Sequence, residues 1–256
     1  MATFNSAGVQ INYVDEGARP PIVLVHGFAS SLHGNWRVPG IVDALKESGR
    51  RVVALDCRGH GRSGKPHAPE AYGGTTMADD VLALMDHLGI ARADLMGYSM
   101  GGGIAASLLV RHPGRFRTVI LAGVGDAVLG GGRGRAGSEA IASALEADDK
   151  RATKDPVARG FRAFAEQSGN DLLALAAIQR STRGGFDPSG LARAACPVMV
   201  LVGEDDDLVG SADRLAAAIP GARYARVPGD HLAAPSAPAY RSAVLDFLAQ
   251  NSPVPA

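Results

Sequence analysis

The stretch GYSMGGG (97–103) lies between a β-like run, ADLMG (93–97), and a helix-like run, IAASLLVRH (104–112). A strand, a tight glycine-rich turn and a helix can serve two chemistries. Amides at the helix start can cradle a phosphate, or the turn can lift the Ser99 hydroxyl clear of the sheet as a nucleophile. Gly101, Gly103 and Ala106 satisfy GxGxxG/A, and Asp126 follows at about the 20-residue offset of a dinucleotide fingerprint. However, Tyr98-Ser99-Met100 separate these glycines from the strand, whereas a dinucleotide turn places its first glycine directly after it. The competing pattern is G-x-S-x-G, from Gly97 to Gly101. There the serine takes a strained backbone conformation, and flanking glycines avoid collisions with the neighbouring strand and helix. On this reading Gly101–Gly103 let the helix approach the sheet. A second literal GxGxxG, at Gly59, Gly61 and Gly64, is followed by Pro66 and Pro69. No helix N-terminus is expected there, so the segment reads as a tight loop after a strand.

Working outward, PIVLV (21–25), RVVAL (51–55), TVILAG (118–123) and PVMVLVG (197–203) are short apolar runs of the kind buried on both faces of a parallel sheet. Thr76 with Asp79 resembles a capping box, and Met77, Val81, Leu84, Met85 and Leu88 then share one helical face up to Gly89. Tyr240, Val244, Phe247 and Leu248 repeat that spacing near the end. VQINYVDEG (9–17) alternates instead, as an antiparallel edge hairpin does. Strand alternating with helix predicts an α/β doubly wound sheet. Residues 125–190 break the rhythm: helical stretches surround Ile141–Leu145, Phe161–Phe164 and Leu172–Ile178, with no convincing strand. They read as a helical insertion, with 1–124 and 191–256 forming the core domain and the glycine-rich 130–137 expected to be mobile.

Composition narrows the function. The 256 residues carry 26 basic and 26 acidic side chains. No basic excess is available to offset phosphates, which argues against nucleic acid or an anionic membrane as the main partner. No apolar run approaches the roughly 20 residues of a membrane helix, and the N-terminus has no signal-peptide pattern, so a cytoplasmic protein is expected. Cys57 and Cys196 form neither a disulfide framework nor a metal motif.

A serine hydroxyl needs a base to take its proton, and the base needs an acid to hold it. After PVMVLVG comes EDDDLV, and after ARYARV (222–227) comes PGDHLAAP. His231 is therefore expected in a loop at a strand's carboxyl end, where α/β sheets place their sites. It is the only histidine beyond residue 112. Asp205, Asp206 and Asp207 are all candidates for the acid, with Asp126 an outside candidate.

With these parts in the order serine, acid, histidine, the chain resembles the α/β-hydrolase superfamily, in particular its serine esterases with a short helical lid. The resemblance rests on VLVHGF (23–28), DCRGHGRSGKP (56–66), GYSMGGG, GEDDDLV (203–209) and PGDHL (228–232). It implies a mostly parallel sheet of about eight strands flanked by helices. It also implies that Ser99, Asp206 and His231 form a triad, Asp206 being the acid that matches the family spacing G-x-x-D-x-x-V. The Phe28 and Met100 amides are the implied oxyanion hole, and Asp56, Arg58 and their glycines brace the floor of the site. The implied activity is hydrolysis of a small carboxylic ester or related acyl bond through an acyl-enzyme, with no metal or organic cofactor. Relatives that attack with aspartate, such as dehalogenases and epoxide hydrolases, fit less well: serine stands at 99, and residues 125–190 hold no tyrosine. Carbon–carbon bond hydrolases pair the serine with a tryptophan, and the only one here is Trp36, whose plain reading is packing. A cofactor-free perhydrolase, or a non-catalytic small-ligand receptor on the same fold, remains an alternative.

Overall fold

A computed structural model describes residues 2–18, 20–130, 134–149, 153–182 and 186–255. Eight strands form one sheet: β1 (Ala2–Ser6), β2 (Val9–Glu16), β3 (Pro21–Val25), β4 (Arg51–Leu55), β5 (Ala93–Tyr98), β6 (Phe116–Ala122), β7 (Val198–Gly203) and β8 (Arg223–Val227). Their order is β1-β2-β4-β3-β5-β6-β7-β8. The β1–β2 hairpin runs antiparallel to itself and to β4, and the remaining pairs are parallel. The edge hairpin and parallel core thus match the alternation of apolar patterns in the sequence.

The helices are α1 (Ile41–Glu47), α2 (Thr76–His87), α3 (Met100–Arg111), α4 (Gly134–Glu146), α5 (Pro156–Gln167), α6 (Leu172–Arg180), α7 (Ala212–Ala217) and α8 (Pro238–Asn251). β3 shows why both faces must be covered. Its Val23 and Val25 enter one core with side chains of α2 and α3, while Ile22 and Leu24 enter the other with side chains of α1 and α8. The two-residue side-chain period of a strand divides the run between them. Helix α2 begins one residue earlier than its capping signal suggested: Thr75 is the N-cap and bonds the Asp79 carboxylate, not a backbone amide. Thr76 instead donates to the Gly73 carbonyl.

Among the described residues of 125–190 there is no strand. The apolar faces of α4 and α6, including Ile141, Leu145, Leu175 and Ile178, join the core on the α3 face. Residues 131–133, within the glycine-rich 130–137, lie outside the described residues.

A buried polar knot ties the start of β5 to the C-terminal helix. Arg50 is only 2% exposed, and its guanidinium meets Asp94 at 2.7 Å and the carbonyls of Leu248 and Ser252. Asp94 also accepts from Thr118 and Ser252. A buried ion pair is tolerable only with its remaining donors and acceptors satisfied in this way.

At the elbow, α3 is pressed against the sheet. A Cβ on Gly101 would lie 2.0 Å from the Val25 carbonyl oxygen, and one on Gly97 the same distance from that of Gly101. On Gly102 it would meet the Ala122 carbonyl at 2.9 Å. Gly103 differs from the expectation: nothing lies within 4 Å of its added Cβ, so close approach to the sheet does not require glycine there. Because only backbone could yield, Gly101→Ala is expected to destabilise the fold by at least about 3 kcal/mol in urea titration. A change under about 1 kcal/mol would show that α3 can lift off β3 freely.

Candidate active site

Ser99 sits between β5 and α3 with φ +54° and ψ −113°. A non-glycine residue at positive φ stores strain, which persists only when its surroundings hold it. Here the Ser99 amide donates to the Ala122 carbonyl at 2.8 Å, and its carbonyl accepts from Gly103 at 3.1 Å. The side chain is thereby held at the carboxyl edge of the sheet, at the start of α3.

Three of the predicted residues converge. His231 Nε2 is 2.9 Å from Ser99 Oγ, and its Nδ1 is 2.7 Å from Asp206 Oδ2. An ionised carboxylate can only accept, so Nδ1 carries the proton and Nε2 is free to accept from the serine. The Asp206 side chain is 0% exposed and its other oxygen accepts from the Leu208 amide. Its neighbours Asp205 and Asp207 are exposed. Asp126 is engaged elsewhere, accepting from the Ser211 amide and from Arg214 at 3.0 Å.

Met100 follows Ser99 directly, and Phe28 lines the same cavities as Ser99 and His231. Met100 is the first residue of α3, so its N–H has no carbonyl one turn back. Among the described residues, no backbone acceptor engages either amide. The loop carrying Phe28 is held by groups that sequence reasoning left out. Asn35 Oδ1 accepts from the Gly27 amide at 2.8 Å. His26 Nε2 accepts from the Cys57 amide and His60 Nε2 from the Ala29 amide, so each ring is neutral, with Nδ1 donating to the Gly27 and Arg58 carbonyls respectively. Burial pushes the His26 pKa down, which favours that neutral form. The two histidines link HGF and RGHG: each ring accepts from a backbone amide adjoining the other motif.

Asp56 and Arg58 are both buried and hydrogen-bonded. Asp56 accepts from the Leu32 and Arg62 amides and the Asn12 side chain. Arg58 forms a forked pair with buried Asp80. Tyr98, missed in the sequence, donates its hydroxyl to the His231 carbonyl. Asp230 caps the Leu232 and Ala233 amides at 2.9 Å, fixing the other side of the histidine loop.

Two cavities, of about 620 and 830 Å³, meet at Ser99, His231, Phe28, Phe161 and Leu208. The smaller collects Tyr98, Leu232, Pro235 and Ser236 from around the histidine loop, and the larger runs along α3 towards α4 and α6. Trp36 lines neither; it is fully buried among Leu32, Ile41 and Tyr240. Among the described residues, no three His, Cys, Asp or Glu side chains converge as metal ligands, and no helix is long and apolar enough to cross a membrane.

An eight-stranded, mostly parallel sheet with a serine elbow at its carboxyl edge defines a hydrolase-type fold. The model of the alpha/beta hydrolase fold matches residues 20–132. A crystal structure of a hydrolase from Pseudomonas aeruginosa PA01 superposes with a TM-score of 0.80 at 30% identity, covering 96% of this chain and 97% of that one. The enol-lactonase of Burkholderia xenovorans LB400 gives 0.73 at 29% identity, covering 96% and 99%. The chain belongs to the alpha/beta hydrolase superfamily. In sequence it is 39% identical over 120 residues to the 2-hydroxymuconate semialdehyde hydrolase of Pseudomonas sp. (strain CF600). That match spans 46% of this chain but only 41% of the relative's length.

Proposed function

We propose that the protein is a serine hydrolase that cleaves a small carboxylic ester, lactone or related acyl bond through an acyl-enzyme on Ser99. The observation that carries this reading is the unbroken hydrogen-bond chain from Asp206 through His231 to a serine at positive φ. His231 Nε2 takes the Ser99 proton as Oγ bonds to the substrate carbonyl carbon. Negative charge then develops on the carbonyl oxygen, where the Phe28 and Met100 amides serve as donors. Collapse of the tetrahedral intermediate expels the leaving oxygen, which takes its proton from His231 Nε2. Water attacks the acyl-enzyme in the reverse sense, and Asp206 stays ionised throughout. Helices α4 to α6 act as a lid that shapes the pocket over Ser99.

A second reading, hydrolysis of a carbon–carbon bond, draws support from the similarity to the 2-hydroxymuconate semialdehyde hydrolase. The position of Trp36, in the core and outside both cavities, favours the ester reading. Turnover assays separate the two. The expected result is release of p-nitrophenol from p-nitrophenyl acetate with no consumption of 2-hydroxymuconate semialdehyde. The opposite pattern would assign the carbon–carbon chemistry instead.

A further inference from the structure

The segment SGND (168–171) joins α5 to α6 with little slack. Gly169, at φ +65°, ends α5: its amide donates to the Glu166 carbonyl, and the Asn170 amide donates to that of Ala165. These are the paired bonds of a Schellman motif. Asp171 then caps α6, accepting from the Ala174 amide, and His67 Nε2 lies 3.1 and 3.0 Å from its two carboxylate oxygens. Asn170 is thus held between two fixed helix ends. Its side chain reaches away from both: Nδ2 donates at 2.7 Å to the carbonyl of Ala29, 141 positions earlier.

Ala29 needs that support. The turn from Gly27 to Ser30 is closed by the Ser30 amide on the Gly27 carbonyl at 3.3 Å, and of its two central residues only Ala29 has a positive φ, +59°. A turn of this type favours glycine at that place. With a Cβ the conformation is strained, and it persists only where its surroundings hold it. Here His60 holds the Ala29 amide and Asn170 the carbonyl. Ala29 is fully buried, so no solvent replaces a partner that is lost. The other central residue is Phe28, the oxyanion donor of the mechanism above. Its ring meets that of Phe161, on α5, edge-on with centroids 5.6 Å apart. Neither Asn170 nor Ala29 lines either cavity, so neither is placed to select a substrate by contact.

We propose that Asn170 is a positioning residue for the oxyanion hole. By holding the Ala29 carbonyl it keeps the strained turn in the conformation that aims the Phe28 amide at the substrate oxygen. The hole is then complete only while the α5–α6 corner is seated on the HGF loop. This assignment rests on the serine-hydrolase reading above.

The test measures kcat/KM for p-nitrophenyl acetate, which reads the acylation transition state, and Ki for p-nitroacetanilide, the matching amide, which reads ground-state fit. Asn170→Ala and the isosteric Asn170→Asp, whose ionised side chain cannot donate, should each lower kcat/KM by about ten- to a hundredfold, short of deleting an oxyanion donor outright. Ki should move less than about threefold, because the lost interaction belongs to the transition state. In an Ala29→Gly background, where glycine holds the turn without strain, Asn170→Ala should cost less than about threefold. Unchanged kcat/KM in either variant at position 170, a Ki that rises in step with the loss, or an equal loss in the Ala29→Gly background would each overturn the positioning role and leave the hydrolase reading intact. Absence of p-nitrophenyl acetate turnover in the unmodified protein would instead overturn the hydrolase reading, and this inference with it.

Discussion

Ser99→Ala is expected to lower kcat for p-nitrophenyl acetate by about 10⁶-fold, leaving only the residual rate that oriented donors and binding supply. The substitution removes one atom, Oγ, and keeps the Cβ already accommodated at φ +54°. The elbow should therefore fold as before, with the Ser99 amide still bonded to Ala122 and His231 still held by Asp206 and by Tyr98. Loss of rate without loss of stability in a thermal melt is the signature of a missing nucleophile. A loss of tenfold or less would mean that water, activated directly by His231, does the chemistry.

Asp206→Asn is expected to cost about 10⁴-fold in kcat. The carboxylate holds the proton on His231 Nδ1 across 2.7 Å and leaves Nε2 as the acceptor facing Ser99. An asparagine amide can donate to Nδ1, which favours the opposite tautomer; Nε2 then carries the proton and cannot take another. Neither neighbour can substitute. Asp205 and Asp207 point to solvent, so Asp205→Asn and Asp207→Asn should change kcat less than about threefold, as surface substitutions do. A larger effect at Asp205 or Asp207 than at Asp206 would move the acid to that residue.

What could be read from the sequence was what is local. The elbow glycines at 97 and 101 are dictated by backbone approach within a few residues, and the strands by continuous apolar runs, so both stood out. The order serine, acid, histidine follows from where successive strands end, which one chain displays in sequence. Contacts between distant elements left no such pattern. Arg50 and Asp94 are 44 residues apart and look like ordinary surface charges until the fold buries them. Tyr98 reaches the carbonyl of a residue 133 positions away. The two histidines of HGF and RGHG are visible in the sequence, but their reciprocal bonds across 31 residues are not. Gly103 illustrates the converse error. Next to Gly101 and Gly102 it reads as part of the same close approach, yet only its neighbours touch the sheet; its own side faces a cavity.

The central claim is that Ser99 carries the acyl group, and stopped-flow release of p-nitrophenol with excess p-nitrophenyl acetate tests it most directly when paired with mass analysis of acid-quenched protein. An acyl-enzyme predicts a covalent acetyl group on the peptide containing Ser99, formed no more slowly than steady-state turnover and absent in Ser99→Ala. Turnover with no covalent adduct, or an acetyl group on another residue that rises and decays at the turnover rate, would contradict it.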